Sequence, residues 1–374
     1  MSIAEYRTLF TEQRQKALEA YSKLPTAVKA DEYEHTIYTA WLMCYNILSS
    51  RARELLWLIA FLHHTGITID IFRRATTRII SHKPRFLTTW LEDSARQKLE
   101  GFLGVFLNGN QGWDGLVFAE TINEIVSCSL LEYEHINQAY RVHPLVQGWV
   151  RTVVPYEAEL AVECTRSLLA VSATSCMDDG LESIRFLMSI GLHVDRVFPE
   201  QLEMIGVDHA LQFSNVCRKK GQWKKVEKLQ VYIQQIHKQA LGDEHPDTLT
   251  SMHELARSYL SLGRFEDARA LYAQVVDIKK RVLGDEHPHT LKSVCNLAWA
   301  YLNLGLIEEA QSLQIHVEDF VQVFGENHPW ASDARTLVKT IQSRQQEAMG
   351  GLSQVGGTRH FPSRLLRKKF IFVM

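Results

Sequence analysis

The residues of this chain best suited to chemistry are three histidines that recur in one repeated motif. His245, His287 and His328 each precede a proline, at successive intervals of 42 and 41 residues. Imidazole is a common metal ligand, so the repetition raises the question of a shared ion. Three ligands must all lie about 2 Å from one ion, and connectors this far apart in the sequence do not bring their side chains so close. We therefore predict that these histidines belong to structural connectors and not to a metal site.

Other patterns for catalysis or cofactor binding are missing from the sequence. A phosphate-binding loop needs GxxxxGK[ST], and the nearest string, residues 104–109 followed by Asn110, lacks both the lysine and the hydroxyl. There is no G-x-S-x-G and no H-E-x-x-H motif. His63 and His64 would point about 100° apart on a helix, so we expect them to have a helix-end role. We predict no catalytic residues, no cofactor and no metal, and hence not an enzyme.

Charge and composition argue against several further classes of protein. Lys and Arg number 41 and Asp and Glu number 43, so no overall field attracts nucleic acid. The longest apolar run, near residues 55–62, is far shorter than the roughly 18 residues that span a bilayer. The six cysteines form no CxxC pair, which indicates free thiols in a reducing compartment. With no signal sequence at the N-terminus, we predict a cytoplasmic protein.

An internal repeat of 42 residues organises the C-terminal part of the chain. The string that begins Leu241-Gly-Asp-Glu-His-Pro returns from Leu283, and glycines recur at Gly221, Gly263 and Gly305. Apolar residues between these landmarks follow helical spacing, so each unit is predicted to be two helices. The glycines suit the left-handed turn that closes a helix, and each proline suits the first turn of the next helix. Gly284 is expected to end its helix in the same left-handed way.

These residues resemble the tetratricopeptide repeat, in the form with a Gly-Asp-Glu-His-Pro connector that is found in kinesin light chains. The first unit departs from the pattern, because Cys217 replaces the tyrosine and Val226 the alanine. The resemblance implies a concave groove, lined by the first helix of each hairpin, that binds a protein or peptide. A solvated face without a ligand is the alternative. Matching the repeat's groove positions gives Asn215, Arg218, Lys219, His253, Arg257, Leu260, Cys295, Trp299 and Asn303.

The N-terminal half is predicted to contain helices followed by a small hairpin and another helix, which suggests a winged-helix unit. Residues 140–151 resemble the end of the winged-helix part of NB-ARC (STAND) NTPases with tetratricopeptide tails, and residues 55–72 and 118–131 resemble other parts of that family. In the family, a histidine at the position of His143 contacts a nucleotide phosphate. The alternative is that His143 caps the next helix, with Pro144 at its first position. The expected recognition helix, residues 116–127, has no Lys or Arg, which argues against nucleic acid binding.

The predicted fold class is mainly α, with a helical and winged-helix N-terminal half followed by a tetratricopeptide α-solenoid. We expect a helical region at 1–84, a winged-helix-like domain at 85–153, a helical bridge at 154–204, repeats at 205–346 (about 207–240, 249–282, 291–323 and a partial 329–346) and a disordered basic tail at 347–374. The predicted function is a protein-interaction scaffold. One alternative is the regulatory part of a nucleotide-dependent switch whose P-loop domain is missing or on another chain. A second is a cargo adaptor like kinesin light chain, although the N-terminus lacks long heptads.

Overall fold

The chain folds as a mainly α protein, as predicted. The computed structural model describes residues 32–81, 83–86, 88–153, 158–174, 180–202, 205–314, 317 and 329–352. These residues contain fifteen α-helices and one two-stranded sheet. The chain divides into two compact units between Lys220 and Gly221. Since this boundary lies inside the first expected hairpin, the domain limits derived from the sequence stay predictions.

The first unit is a helical domain with one short hairpin. Among its described residues the elements are α1 (Glu32–Ile47), α2 (Ser50–Phe61), α3 (Ile69–Ile79), α4 (Trp90–Gly104), α5 (Gly115–Ser127), β1 (Glu132–Glu134), β2 (Ala139–Arg141), α6 (Pro144–Val153), α7 (Ala158–Ala173), α8 (Leu181–Val197) and α9 (Val207–Lys219).

Helix α7 is the centre of the first unit. It contacts α2, α3, α4, α8 and α9, and 12 of its 16 residues are buried. Two of the buried residues, Glu163 and Arg166, are charged. Because a buried charge is costly unless it is paired, their side chains must find partners inside the unit.

A small antiparallel hairpin lies between α5 and α6, where the sequence predicted one. Tyr133 of β1 pairs with Tyr140 of β2, and their ring centroids lie 5.0 Å apart. The backbone of Tyr140 also exchanges two hydrogen bonds with Ile67, which joins the hairpin to the segment before α3. The predicted order of helix, hairpin and helix is therefore present, whereas the assignment as a winged helix stays a prediction.

The second unit is a series of helices in which each described helix packs against the next. The helices are α10 (Trp223–Leu241), α11 (Pro246–Ser261), α12 (Phe265–Leu283), α13 (Pro288–Leu304), α14 (Ile307–Ser312) and α15 (Pro329–Leu352). Helix α15 packs against both α13 and α14, and α11 also contacts α13 across α12. This contact places the first helices of two successive hairpins side by side, as a stack of helical hairpins requires.

Two sets of glycines turn the chain between these helices, and they use different backbone conformations. Gly305 adopts the left-handed conformation, with φ 78° and ψ 11°, as predicted. Gly263, with φ +77°, closes its helix by the equivalent hydrogen bond: Arg264 N–H donates to the Tyr259 carbonyl as Leu306 N–H donates to that of Tyr301. Gly284 has φ 93° and ψ 163°, so the prediction of a left-handed turn there was wrong. Gly242, which holds the same position in the preceding repeat, has a similar backbone conformation, with φ 88° and ψ 170°. This extended region at positive φ is open essentially to glycine alone.

Some predictions fall on residues that the structure does not describe. His328 and residues 353–374 of the basic tail lie outside the described part of the chain. In the part that is described, no helix combines the length and the apolar character needed to cross a membrane. The cytoplasmic location stays a prediction.

The two glycine classes give the first testable prediction. Gly263→Ala should cost about 1 kcal/mol of unfolding free energy, whereas Gly284→Ala should cost roughly 2–3 kcal/mol. No atom lies within 4 Å of a Cβ built at either position, so the difference isolates backbone strain. Urea unfolding of the full chain, followed by circular dichroism, measures both losses. Equal losses, or a larger loss for Gly263→Ala, would contradict the assignment of different backbone conformations to the two glycines.

Candidate functional site

His245 and His287 of the His-Pro connectors act as N-caps of the helices that follow. The Nδ1 atom of His245 accepts a hydrogen bond from the backbone N–H of Asp247 at 3.2 Å, and His287 accepts from His289 at 3.2 Å. The intervening proline has no N–H to satisfy at the first helical position. The imidazole therefore replaces the Ser, Thr, Asp or Asn side chain that usually takes this place.

The same arrangement occurs at His143 in the first unit. Its Nδ1 accepts a hydrogen bond from the backbone N–H of Leu145 at 3.2 Å, and Pro144 is the first residue of α6. This is the capping alternative that the sequence left open. The nucleotide contact implied by the family resemblance remains a prediction that no observation supports.

His63 and His64 do not lie on a helix, so the expected divergence of their rings was wrong. Helix α2 ends at Phe61, and the two ring centroids lie 4.3 Å apart in the loop beyond it. His193 of α8 anchors this loop, since its Nδ1 accepts from the His63 N–H at 3.1 Å and its Nε2 donates to the Gly66 carbonyl at 2.9 Å. Burial lowers the pKa of His193 to about 4 and outweighs the opposing hydrogen bond to Gly66. The ring therefore stays neutral in this structural role.

His253 is the centre of a buried hydrogen-bond network between α11 and α13. Asn296 Nδ2 lies 3.1 Å from its Nε2, and Ser293 Oγ lies 3.3 Å from its Nδ1. An amide donor at Nε2 requires the proton to sit on Nδ1, which then donates to Ser293. The Ser293 oxygen also accepts from Lys279 Nζ at 3.0 Å and donates to the His289 carbonyl at 3.1 Å. Each member of the network thus has a partner, as a buried polar group needs.

This network lies in a region of positive charge. Burial is the largest cause that lowers the pKa of His253 well below its ordinary value, and the nearby charges of Lys279, Lys292 and Arg257 add to the effect. Burial and Lys292 also lower the pKa of Lys279 to about 8, although Glu254 opposes this change. At neutral pH the histidine is therefore neutral, and the positive charges of Lys279, Lys292 and Arg257 act on it.

The groove residues predicted on α11 and α13 separate into a buried and an accessible set. His253 is only 6% exposed, and Cys295 only 8%. His253 lies against α12, with its ring 5.2 Å from that of Tyr272, and Cys295 packs in a cluster with Leu337 of α15. Neighbouring helices therefore cover two residues that the repeat pattern placed on an open face. The remaining four are at least partly accessible: Arg257, Leu260, Trp299 and Asn303.

The other three predicted groove residues belong to the first unit. Asn215, Arg218 and Lys219 lie in the last two turns of α9 and are partly exposed. Arg218 Nη2 donates to Asn215 Oδ1 at 3.1 Å, so these two side chains are held together. Their part in a groove stays a prediction.

The sequence predicted no metal site, but the structure brings three possible metal ligands together. Among the described residues, three His, Cys, Asp or Glu side chains come close enough to share an ion only at Glu92, Glu163 and His209. These residues stand on three segments of the first unit, far apart in the sequence. Nothing in their spacing predicted the cluster.

Comparison with known proteins supports the repeat assignment. The family model described as "Tetratricopeptide repeat" matches residues 248–289, a stretch that includes most of α11, all of α12 and the turn between them. No curated protein matches the chain. The prediction of tetratricopeptide repeats is therefore confirmed for this stretch, whereas the relation of the first unit to NB-ARC proteins stays a prediction.

Two solved structures are similar to part of this chain. One is a putative kinesin light chain of Podosopora anserina with nearly identical TPR-like repeats, at 24% identity over 45% of this chain and 87% of that chain, with a TM-score of 0.31. The other is BtubC (BKLC) from P. vanneervenii, at 14% identity over 57% of this chain and 91% of that chain, with a TM-score of 0.32. Similarity at these scores carries no argument about what this chain binds.

The capping role of the histidines can be tested by substitution. His287→Ala should lower the unfolding free energy by about 1 kcal/mol, since the second N–H of α13 loses its acceptor. His287→Asn should recover most of the loss, because Asn is among the strongest N-cap residues. Urea unfolding of the full chain measures both variants. An Asn variant no more stable than the Ala variant would show that the ring contributes something other than capping.

The buried lysine gives a prediction about pH. Lys279 has a pKa near 8 in the folded protein against an ordinary value of 10.5, so the unfolded chain binds this proton more tightly. Between these two values the folded lysine is neutral while the unfolded one stays charged, and stability rises with pH. Relative to Lys279→Met, the wild type should therefore gain about 2 kcal/mol between pH 7.5 and 9.5. A stability difference that does not change with pH would contradict the burial of this charge.

Proposed function

We propose that the second unit is a protein-interaction scaffold that binds an acidic peptide segment of a partner protein. The binding surface is the α11–α13 face, which we define as Arg257, Leu260, Trp299 and Asn303. Two of these residues lie on α11 and two on α13, the helices that contact each other across α12. Tetratricopeptide repeats provide such a surface through the first helix of each hairpin.

The observation that carries this proposal is the incomplete hydrogen bonding of Arg257. Its Nη2 donates to Glu254 Oε2, but its buried Nε has no hydrogen-bond partner among the described residues. A buried donor left unpaired costs about 1–3 kcal/mol. The Arg257 side chain is 20% exposed, and an acidic side chain or a C-terminal carboxylate that reaches its guanidinium would accept charge-assisted hydrogen bonds from it.

The surrounding charge favours an anionic ligand. Arg257, Lys279 and Lys292 all act on His253, and Glu254 is the acidic group that acts on the charge of Lys279. Among the described residues, the hydrogen-bond acceptors of Lys279 Nζ are neutral, the Ser293 hydroxyl and the His289 carbonyl, so Lys279 adds positive charge to this region. Complementary charge of this kind increases the rate of encounter with an acidic segment and selects against a basic one.

Apolar groups beside these charges provide the rest of the surface. Leu260 packs against a cluster formed by α11, α12 and α13, and Trp299 packs against the cluster that α13 forms with α14 and α15. Both keep part of their side chains accessible. A partly exposed tryptophan that is fixed by packing against buried residues is a common anchor at interfaces. The amide of the exposed residue Asn303 can form hydrogen bonds with an extended backbone.

For the first unit we propose a descent from the helical and winged-helix part of NB-ARC proteins. The order of α5, the β1–β2 hairpin and α6 supports this relation. His143, in its capping position, does not support a nucleotide contact. The proposed role of this unit is structural.

The function can be tested with a random peptide library displayed on phage and selected on the full chain. We expect enrichment of peptides that combine acidic and apolar residues. Synthetic versions should lose about tenfold in affinity with Arg257→Gln, because the charge-assisted hydrogen bonds are removed, and a similar or larger factor with Trp299→Ala. Isothermal titration calorimetry provides the affinities.

Arg281→Gln is the matched control for charge. Arg281 is an exposed arginine on α12 that pairs with Glu244 and Asp277, outside the α11–α13 face, and its loss should leave peptide affinity unchanged. Thermal melts of each variant show whether the fold is intact. Selection of basic peptides, or equal effects of Arg257→Gln and Arg281→Gln, would exclude the proposed surface.

A further inference from the structure

Three buried side chains in the first unit converge on one point. Glu92 lies in the first turn of α4, Glu163 on α7 and His209 in the first turn of α9. The Nδ1 atom of His209 lies 3.2 Å from Glu163 Oε1 and 3.6 Å from Glu92 Oε1. For bonds of about 2.0–2.2 Å, the ligand atoms of a tetrahedral metal stand about 3.3–3.6 Å apart. The observed separations are close to this range.

The atoms that face each other in this cluster lack hydrogen bonds. Glu163 Oε1 and His209 Nδ1 are both buried, and neither has a hydrogen-bond partner among the described residues. Glu163 is 1% exposed and His209 is 8% exposed. Buried polar atoms are almost always satisfied, so these two atoms, 3.2 Å apart, must either share a proton or bind a common cation.

The second oxygen of each carboxylate is fixed by other groups. Glu163 Oε2 accepts from Arg166 Nη1 at 3.2 Å, and Arg166 Nε donates to the Val197 carbonyl at 2.9 Å. Glu92 Oε2 accepts from the backbone N–H of Thr89 at 2.8 Å. Outer hydrogen bonds of this kind orient the ligands of metal sites. They leave the Oε1 atom of each glutamate directed at His209.

The backbone and the neighbouring cavity complete the site. A Cβ at Gly206 would lie 1.8 Å from Glu92 Oε1, so only a glycine before α9 lets that carboxylate approach. A cavity of about 30 Å³ borders the cluster and is lined in part by Glu92, Gly206 and His209. This is enough room for a water molecule as the fourth ligand.

We propose that Glu92, Glu163 and His209 form a binding site for a divalent transition-metal cation, with Zn²⁺ as the favoured ion. One imidazole and two carboxylates, with an open fourth position, match the ligands and number that zinc takes in open sites. Mg²⁺ and Ca²⁺ are disfavoured because both select oxygen ligands. The competing occupant is a proton on His209 that pairs with Glu163, and the test separates the two.

The test uses the full chain after treatment with EDTA, titrated with ZnCl₂ and separately with MgCl₂ by isothermal titration calorimetry. We expect one Zn²⁺ per chain at micromolar affinity or tighter, with no comparable binding of Mg²⁺. Glu163→Gln and His209→Gln should each weaken this binding at least tenfold. His135→Gln, at an exposed histidine of the β1–β2 turn, is the matched control and should bind as the wild type does.

Cobalt gives a second readout that does not depend on any variant. Co²⁺ bound to the wild-type chain should show the visible absorption of a tetrahedral ion, without the near-ultraviolet charge-transfer band that a cysteine thiolate produces. Absence of one-to-one zinc binding, a thiolate band, or equal zinc affinity in Glu163→Gln would overturn the proposal.

Discussion

The second unit depends on the close approach of neighbouring helices, which small side chains make possible where the helices meet. Ala256, Ala268 and Ala298 are completely buried, and each contributes only a methyl group to the contact between helices. Helices of this kind pack 8–10 Å apart, and the side chains at the contact set the distance. The ring of Tyr272 is also fully buried and fills the space beside the alanines. Since one hairpin cannot cover its own apolar face, each depends on the next.

The close packing explains why polar groups are buried in the same region. Helix α13 covers His253 of α11, and the ring then needs Asn296 and Ser293 as partners. Lys279 reaches the same serine from α12. In the preceding hairpin His237 takes the equivalent place and its Nδ1 contacts the Asp247 carbonyl. A buried hydrogen-bonding side chain near the end of the second helix is thus a recurring part of the stack, and at Lys279 it also adds positive charge beside the α11–α13 face.

Much of this stack could be predicted from the sequence, because its signals are local. The glycine turns and the prolines at helix starts depend only on neighbouring residues, and the 42-residue repeat shows that the same local signals return in each unit. The conformation of Gly284 was missed because a positive φ alone does not fix ψ. The capping histidines were recognised as structural, but their hydrogen bond was not, since histidine is not among the usual N-cap residues.

Features that depend on neighbouring helices could not be predicted in this way. Spacing along α11 and α13 placed His253 and Cys295 on an open face, whereas the burial of each depends on which helix packs against it. The cluster of Glu92, Glu163 and His209 joins three separate segments of the first unit, and no spacing rule connects them. Such sites become visible only when the fold brings the segments together.

Photocrosslinking measures most directly whether the stacked hairpins present the α11–α13 face to a ligand. A selected acidic peptide that carries a benzophenone group is irradiated with the full chain, and the crosslinked residues are found by digestion and mass spectrometry. Adducts should concentrate within residues 246–261 and 288–304, and excess unlabelled peptide should suppress them. Adducts confined to α12 or to the first unit would contradict the proposed binding surface.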